Sequence, residues 1–173
     1  MSDKNSKKNK RRPNKDKIQS NIFKSEAIHL DIQKLESEFY RADMILTGVD
    51  RSVPSYEGRV FINNPSANDD TSLDSDNGYV GSYFVFGHPS CLGDKGHCDV
   101  HAERQKFNVI PNPLVPEDIS IIITDKLKEM GRKTKDFTIT IVPIVISPPV
   151  VGEEEVDVKN VVKLDKVSIV TYD

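Results

Sequence analysis

Short segments rich in β-branched and aromatic residues recur along the 173-residue chain, and turn-forming residues follow most of them. The clearest is residues 79–86, which lies between Gly78 and Gly87 and has the composition of a β-strand. The others are residues 28–32, 42–49, 59–63, 104–110, 137–146 and 161–171. Because these segments show neither a βαβ rhythm nor an internal repeat, they predict an all-β chain of antiparallel strands.

The predicted architecture is a single antiparallel β-sandwich, immunoglobulin-like or cupredoxin-like, with one short helix. Residues 125–130 predict that helix, with Thr124 as its cap and Gly131 just past its end. Gly81 predicts a bulge or a close backbone approach, and Pro143 predicts that part of its strand lies at a sheet edge or a bulge. The positions predicted to face the core are Phe61, Val85, Phe137, Ile139 and Ile141.

The charge of the chain is unevenly distributed. Residues 1–17 hold eight lysines and arginines against two aspartates, a local charge of +6, whereas the whole chain carries −3. We therefore predict a disordered basic tail over residues 1–24 and a sandwich domain over residues 25–173. Two roles for the tail stay open: it solubilises the chain, or it tethers the chain to an acidic partner surface, nucleic acid or anionic lipid.

The remainder of the chain carries about −9, because the tail accounts for +6 of the total of −3, and this charge argues against nucleic-acid binding by the folded body. The basic start lacks the apolar stretch of a secretory signal. No apolar run approaches the roughly 20 residues of a transmembrane helix. The sequence therefore predicts a cytoplasmic protein, in which stable disulfides are disfavoured.

Potential metal ligands concentrate in one loop after residue 86. Three of the four histidines and both cysteines fall within fourteen positions, and these residues are His88, Cys91, His97, Cys98 and His101. Thiolate and imidazole suit zinc and copper, and four such ligands can close a tetrahedral structural site. A metal site is one interpretation of the loop. The others are a Cys91–Cys98 disulfide or free thiol pair, and a polar turn.

Three segments together resemble the C-terminal domain of plant polyphenol oxidases. Arg59-Val-Phe-Ile-Asn63 resembles its Lys-Phe-Asp-Val-type strand, and Gly81-Ser-Tyr-Phe resembles its Gly-Ser-Phe strand. Residues 122–131 and 137–143 resemble its short helix ending in glycine and its closing Val-Thr-Leu-Val-Pro strand. The similarity covers about residues 49–146, and residues 88–100 also resemble a loop in C-terminal regions of bacterial tyrosinase-like proteins.

The resemblance implies a non-catalytic β-sandwich that packs over a type 3 copper site and has a structural or shielding role. A dicopper centre of that family needs six histidines from a helix bundle, whereas this chain has four histidines in total. The chain is therefore not expected to be a tyrosinase by itself, and the resemblance leaves only the accessory domain.

The predicted function is a non-catalytic accessory or interaction domain that docks on a tyrosinase-like copper enzyme. The alternative is a stand-alone β-sandwich protein that binds zinc or copper through the loop at residues 88–101. No catalytic or cofactor-binding residue is predicted, since the chain has neither a Gly-x-Ser-x-Gly elbow nor a phosphate-binding glycine loop. A mononuclear metal enzyme built on the sandwich is a third hypothesis.

Overall fold

The computed structural model describes residues 20–31, 39–88, 114–146 and 158–173. Its strands are Phe23–Lys24 (β1), Ile28–His29 (β2), Arg41–Val49 (β3), Tyr56–Ile62 (β4), Tyr79–Val85 (β5), Glu117–Ile122 (β6), Asp136–Phe137 (β7), Ile139–Val145 (β8) and Lys166–Tyr172 (β9). The strands form a four-stranded sheet of order β1-β8-β4-β5, a three-stranded sheet of order β6-β3-β9 and a β2-β7 ribbon. Every pairing is antiparallel. The prediction of an all-β antiparallel sandwich is confirmed.

The main core lies between the two large sheets. Alternate residues of β3, Ala42, Met44 and Leu46, point into it, because successive side chains of a strand face opposite sides,. Val60 and Ile62 of β4 meet them from the four-stranded sheet. The core prediction is confirmed for the four residues Val85, Phe137, Ile139 and Ile141.

Phe61 is completely buried, as predicted, but it does not face the main core. Its neighbours Val60 and Ile62 point inward, so Phe61 points to the outer face of the four-stranded sheet. There it forms a second cluster with Ala67 and Val142. Residue 67 belongs to the polar connection between β4 and β5, so this connection covers part of the outer face.

The strand predicted over residues 137–146 is divided into two strands. Phe137 pairs with Ile28 in the ribbon, whereas Ile139 pairs with Ile62 in the four-stranded sheet. Asn63, which has a positive φ of 52°, stabilises the backbone where the partner strand changes. Its side-chain oxygen accepts a 2.7 Å hydrogen bond from the N–H of Thr138. A change of partner strand at one residue leaves the apolar pattern intact and is therefore not visible in the sequence.

The short helix α1, Thr124–Gly131, follows β6 directly and confirms the prediction for residues 125–130. Its N-cap is Ile123, which makes no side-chain cap bond, so the predicted cap role of Thr124 is wrong. The Thr124 hydroxyl instead accepts a 2.9 Å hydrogen bond from the N–H of Ala42 and thereby joins the helix to β3. No helix in the described part of the chain is long and apolar enough to cross a membrane.

The sandwich begins earlier than the predicted boundary after residue 24. Phe23 pairs with Ile141 in the four-stranded sheet. The N–H of Asn21 donates a 2.6 Å hydrogen bond to the carbonyl of Lys159, and the Ser20 hydroxyl donates to the same carbonyl. The part of the predicted tail from residue 20 to residue 24 therefore belongs to the folded domain, and residues 1–19 lie outside the described residues.

Two truncations test this boundary. Deleting residues 1–19 is expected to leave the melting temperature nearly unchanged, because no contact described above is lost. Deleting residues 1–24 is expected to lower it by several degrees, because the β1 pairing and the bonds to Lys159 are removed,. Differential scanning calorimetry checks both. A large fall in the first truncation would contradict the boundary.

Candidate functional site

The structure describes one member of the predicted metal loop. The backbone N–H of His88 donates a 2.8 Å hydrogen bond to the carbonyl of Arg51 and fixes the point where the loop leaves the sandwich. Cys91, His97, Cys98 and His101 lie outside the described residues. Among the residues that are described, no group of three or more His, Cys, Asp or Glu side chains could hold a metal ion. The loop site therefore stays a prediction.

Metal analysis of the purified protein tests the loop. A site requires deprotonated ligands, so metal uptake is expected to release protons and to weaken as pH falls. Cys98→Ser is expected to abolish stoichiometric zinc or copper. The matched control is His29→Ala, because His29 lies in β2 with its ring Nδ1 2.8 Å from Asp136. Negligible metal together with two titratable thiols, or with none, would contradict the metal site.

The outer face of the three-stranded sheet presents a different kind of site, which we call the three-strand face. It consists of the outward side chains of β3, β6 and β9 and of Tyr40, which precedes β3. Four of its apolar or aromatic side chains are exposed by more than a third: Tyr40, Ile122, Val170 and Tyr172. Ile122 and Val170 flank Asp43 of the central strand in register. The strand pairing therefore brings together residues that are far apart in sequence.

A charged pair stands in the middle of this face. Arg41 Nε donates a 2.8 Å hydrogen bond to Asp43, whose side chain is only 5% exposed. The bond from Arg41 lowers the pKa of Asp43, against the opposing effect of burial, and a hydrogen bond with Ser120 lowers it further. Asp43 is therefore ionised at neutral pH, and its charge is compensated within the sheet.

Aromatic rings extend from this pair to one end of the sheet. The Arg41 guanidinium lies 5.9 Å from the ring centre of Tyr172, within cation–π range,. The rings of Tyr172 and Tyr40 are 6.5 Å apart, and the N–H of Tyr40 donates to the carbonyl of Tyr172. This places an aromatic pair beside a partly exposed guanidinium.

The three-strand face contains residue types that are common at protein interfaces. Tyrosine and arginine are enriched at the centres of protein interfaces, and exposed apolar patches rimmed by polar residues mark contact surfaces. Sequence reasoning did not identify this face. The outward positions of β3, β6 and β9 alternate correctly within each strand, but only the register shows that Ile122, Asp43 and Val170 are neighbours.

Comparison with known proteins found no matching family model and no matching curated protein. Solved structures similar to this chain are polyphenol oxidases. Latent aurone synthase from its natural source is 11% identical with a TM-score of 0.46, and the match covers 88% of this chain and 24% of the synthase chain. The recombinantly expressed enzyme is 12% identical with a TM-score of 0.48, and the match covers 87% of this chain and 24% of the enzyme chain. The chain thus spans about a quarter of the length of these structures.

Proposed function

We propose that this chain is a non-catalytic interaction domain that docks on a tyrosinase-like copper enzyme through the three-strand face. In this proposal the enzyme supplies the copper chemistry. The chain supplies a rigid surface that covers the enzyme or holds it in one state.

The single observation that carries the proposal is the exposed aromatic and apolar surface around Arg41 and Asp43. Completely burying a fully exposed large apolar side chain contributes about 1.5–3 kcal/mol, and burying a partly exposed one contributes less. Tyr40, Ile122, Val170 and Tyr172 therefore offer binding energy that the isolated chain does not use. The central ion pair gives directionality, because a partner must accommodate the exposed part of the Arg41 guanidinium,.

The class of partner comes from the sequence resemblance to the C-terminal domain of polyphenol oxidases. The segments that carry this resemblance become β4, β5 and β8 of the four-stranded sheet, and the end of β6 with α1, which is joined to β3. The three-strand face lies on the three-stranded sheet and includes Ile122 at the end of β6. With four histidines, the chain also lacks the ligands for a dicopper centre of its own.

Mixing the chain with a purified tyrosinase-like copper enzyme tests the proposal. We expect a stable complex by size exclusion with light scattering, and slower oxidation of a diphenol by the enzyme once the complex forms. Albumin at the same concentration controls for crowding. Separate elution with an unchanged oxidation rate at tens of micromolar would contradict the proposed function.

A further inference from the structure

A groove of about 850 Å³ lies on the other sheet, beside the C-terminal half of β8. Its floor is formed by residues 142–145 of that strand. One wall is formed by residues 20–22 with Lys24 and Lys159, and the other by Arg59 of β4 with Asn68 and Asp69. This groove and the three-strand face are on different sheets.

The floor of the groove includes an open strand edge. The N–H and the carbonyl of Ile139 both form hydrogen bonds with Ser25, which lies on the β1 side of β8. The backbone N–H and carbonyl groups of residues 139, 141, 143 and 145 therefore point to that side. Strand β1 covers the edge only at Thr140 and Ile141. Beyond that point, no strand among the described residues pairs with it. The carbonyl of Pro143 and the N–H and carbonyl of Val145 are therefore directed to a side where no described strand lies. Among the described strands, Pro143 lies at a sheet edge, as predicted.

The walls of the groove are mainly cationic. Lys24, Arg59 and Lys159 line it against one carboxylate, Asp69. The terminal nitrogen atoms of Arg59 lie 3.2 Å from Glu57 and 3.4 Å from the carbonyl of Asp69. Both distances exceed the ~2.7–2.9 Å of strong charge-assisted bonds. Arg59 Nε is buried, so an incoming carboxylate can reach only the partly exposed end of the guanidinium. There it can form a shorter bond than the present contacts with Glu57 and Asp69.

Residues 1–19 precede Ser20, which lines the groove, and carry a net charge of +6. A basic segment joined to the domain at this residue raises the rate at which acidic partners associate.

We propose that this groove binds an extended acidic peptide segment of a partner protein, which adds to β8 as a further strand. Main-chain hydrogen bonds to Pro143 and Val145 provide the backbone contacts, and carboxylates on the peptide meet Lys24 and Arg59. The open edge favours a peptide over a nucleic acid, because only a peptide backbone presents matching N–H and carbonyl groups at the spacing of a strand.

Fluorescence anisotropy with the full-length chain tests this proposal. The probe is a labelled peptide of alternating glutamate and valine. We expect saturable binding that weakens about ten-fold or more when glutamine replaces glutamate. Methylating the central amide nitrogen atoms of the peptide is expected to reduce binding to a similar extent, because it prevents strand addition. A labelled oligothymidylate of similar length is expected to bind more weakly than the peptide.

Variants locate the binding in the groove. Lys24→Glu is expected to weaken binding of the peptide about ten-fold without lowering the melting temperature, because Lys24 is exposed,. The matched control is Lys135→Glu, an exposed lysine outside the groove, which is expected to bind as the wild type does. Arg59→Gln is expected to weaken binding as well. If Arg59→Gln does not fold, Lys24→Glu alone tests whether the peptide binds in the groove.

Four results would overturn binding of an acidic peptide in the groove, and a fifth experiment tests the identity of the occupant. They are no binding of the peptide, equal binding of the methylated peptide, equal or tighter binding of the oligothymidylate, and equal effects of Lys24→Glu and Lys135→Glu. Replacing Glu153, Glu154 and Glu155 by glutamine tests whether the chain's own acidic segment is the occupant. Peptide binding at least ten-fold tighter in that variant would assign the groove to this segment and overturn the partner peptide. Unchanged affinity would support the partner.

Discussion

Truncating Phe137 to alanine is expected to lower the free energy of unfolding by about 3–5 kcal/mol. Phe137 is completely buried and belongs to the main core, where it pairs with Ile28 in the β2-β7 ribbon. Removing the ring loses its burial and leaves a cavity that neighbouring strands cannot fill without breaking their register. Urea denaturation measures the change.

Phe84→Ala is the matched control, since Phe84 is 57% exposed, and it is expected to cost less than about 1 kcal/mol,. Phe61→Ala is expected to resemble Phe137→Ala in magnitude, although Phe61 lies in the outer cluster with Ala67 and Val142,. A loss below about 1 kcal/mol for Phe137→Ala would show that the core is not packed as described.

Raising the pH from 10 to 12 is expected to remove several kcal/mol of stability through Tyr56 and Tyr83. Both side chains are buried, their rings meet edge to face at 5.8 Å, and their hydroxyls are 3.2 Å apart. Burial raises the pKa of Tyr56 to about 12, and the hydrogen bond with Tyr83 partly opposes this. Burial raises the pKa of Tyr83 further, and the neighbouring Tyr56 contributes in the same direction.

Stability falls as pH rises because the unfolded chain releases the tyrosine protons first. Above pH 10 these tyrosines ionise in the unfolded chain but stay protonated in the folded one, so the unfolded state is favoured. Each contributes a loss of about 1.4 kcal/mol per pH unit. For Tyr56 the loss ends near pH 12, whereas for Tyr83 it continues above it.

Urea denaturation at several alkaline pH values measures this loss, and tyrosinate absorbance reports ionisation of the pair. Tyr56→Phe combined with Tyr83→Phe is expected to flatten the dependence, while Tyr40→Phe, at an exposed ring, leaves it unchanged. An unchanged slope in the double variant would contradict the burial of the pair.

Several parts of the fold could be predicted because the information is local. Gly81 was expected at a bulge, and the β4–β5 register shifts where β4 passes from Val60 to Phe61, opposite Gly81 and Tyr79. The helix was expected over residues 125–130 from acidic Asp125 at its start and Gly131 just past its end; the helix is there, but it includes Gly131 and its C-cap is Arg132. These signals depend on neighbouring residues in the chain, which the sequence lists directly.

Other parts depend on contacts between distant segments. Val60, Phe61 and Ile62 are all buried because both faces of β4 are covered, so alternation alone could not assign a face to Phe61. The transition at Thr138 depends on Asn63, 75 positions earlier in the chain. The three-strand face depends on the register of β3 with two strands distant in sequence.

The metal loop also could not be predicted fully from the sequence, although its residues are neighbours in the chain. Its five ligand-type residues are close in sequence, but sequence proximity does not determine where their side chains point. Of these residues the structure positions only His88, at the end of the four-stranded sheet. The site most strongly indicated by the sequence and the surface most strongly indicated by the structure are therefore different parts of the chain.

Titration calorimetry of the chain with a purified tyrosinase-like copper enzyme tests the docking proposal most directly. The proposal predicts one-to-one binding of the wild-type chain. It also predicts at least ten-fold weaker binding of Ile122→Glu, which places a charge on the three-strand face,. Leu73→Glu is the matched control, at an exposed apolar residue in the β4–β5 connection, and is expected to bind as the wild type does. Equal binding of wild type and Ile122→Glu, or no binding of wild type, would contradict docking through this face.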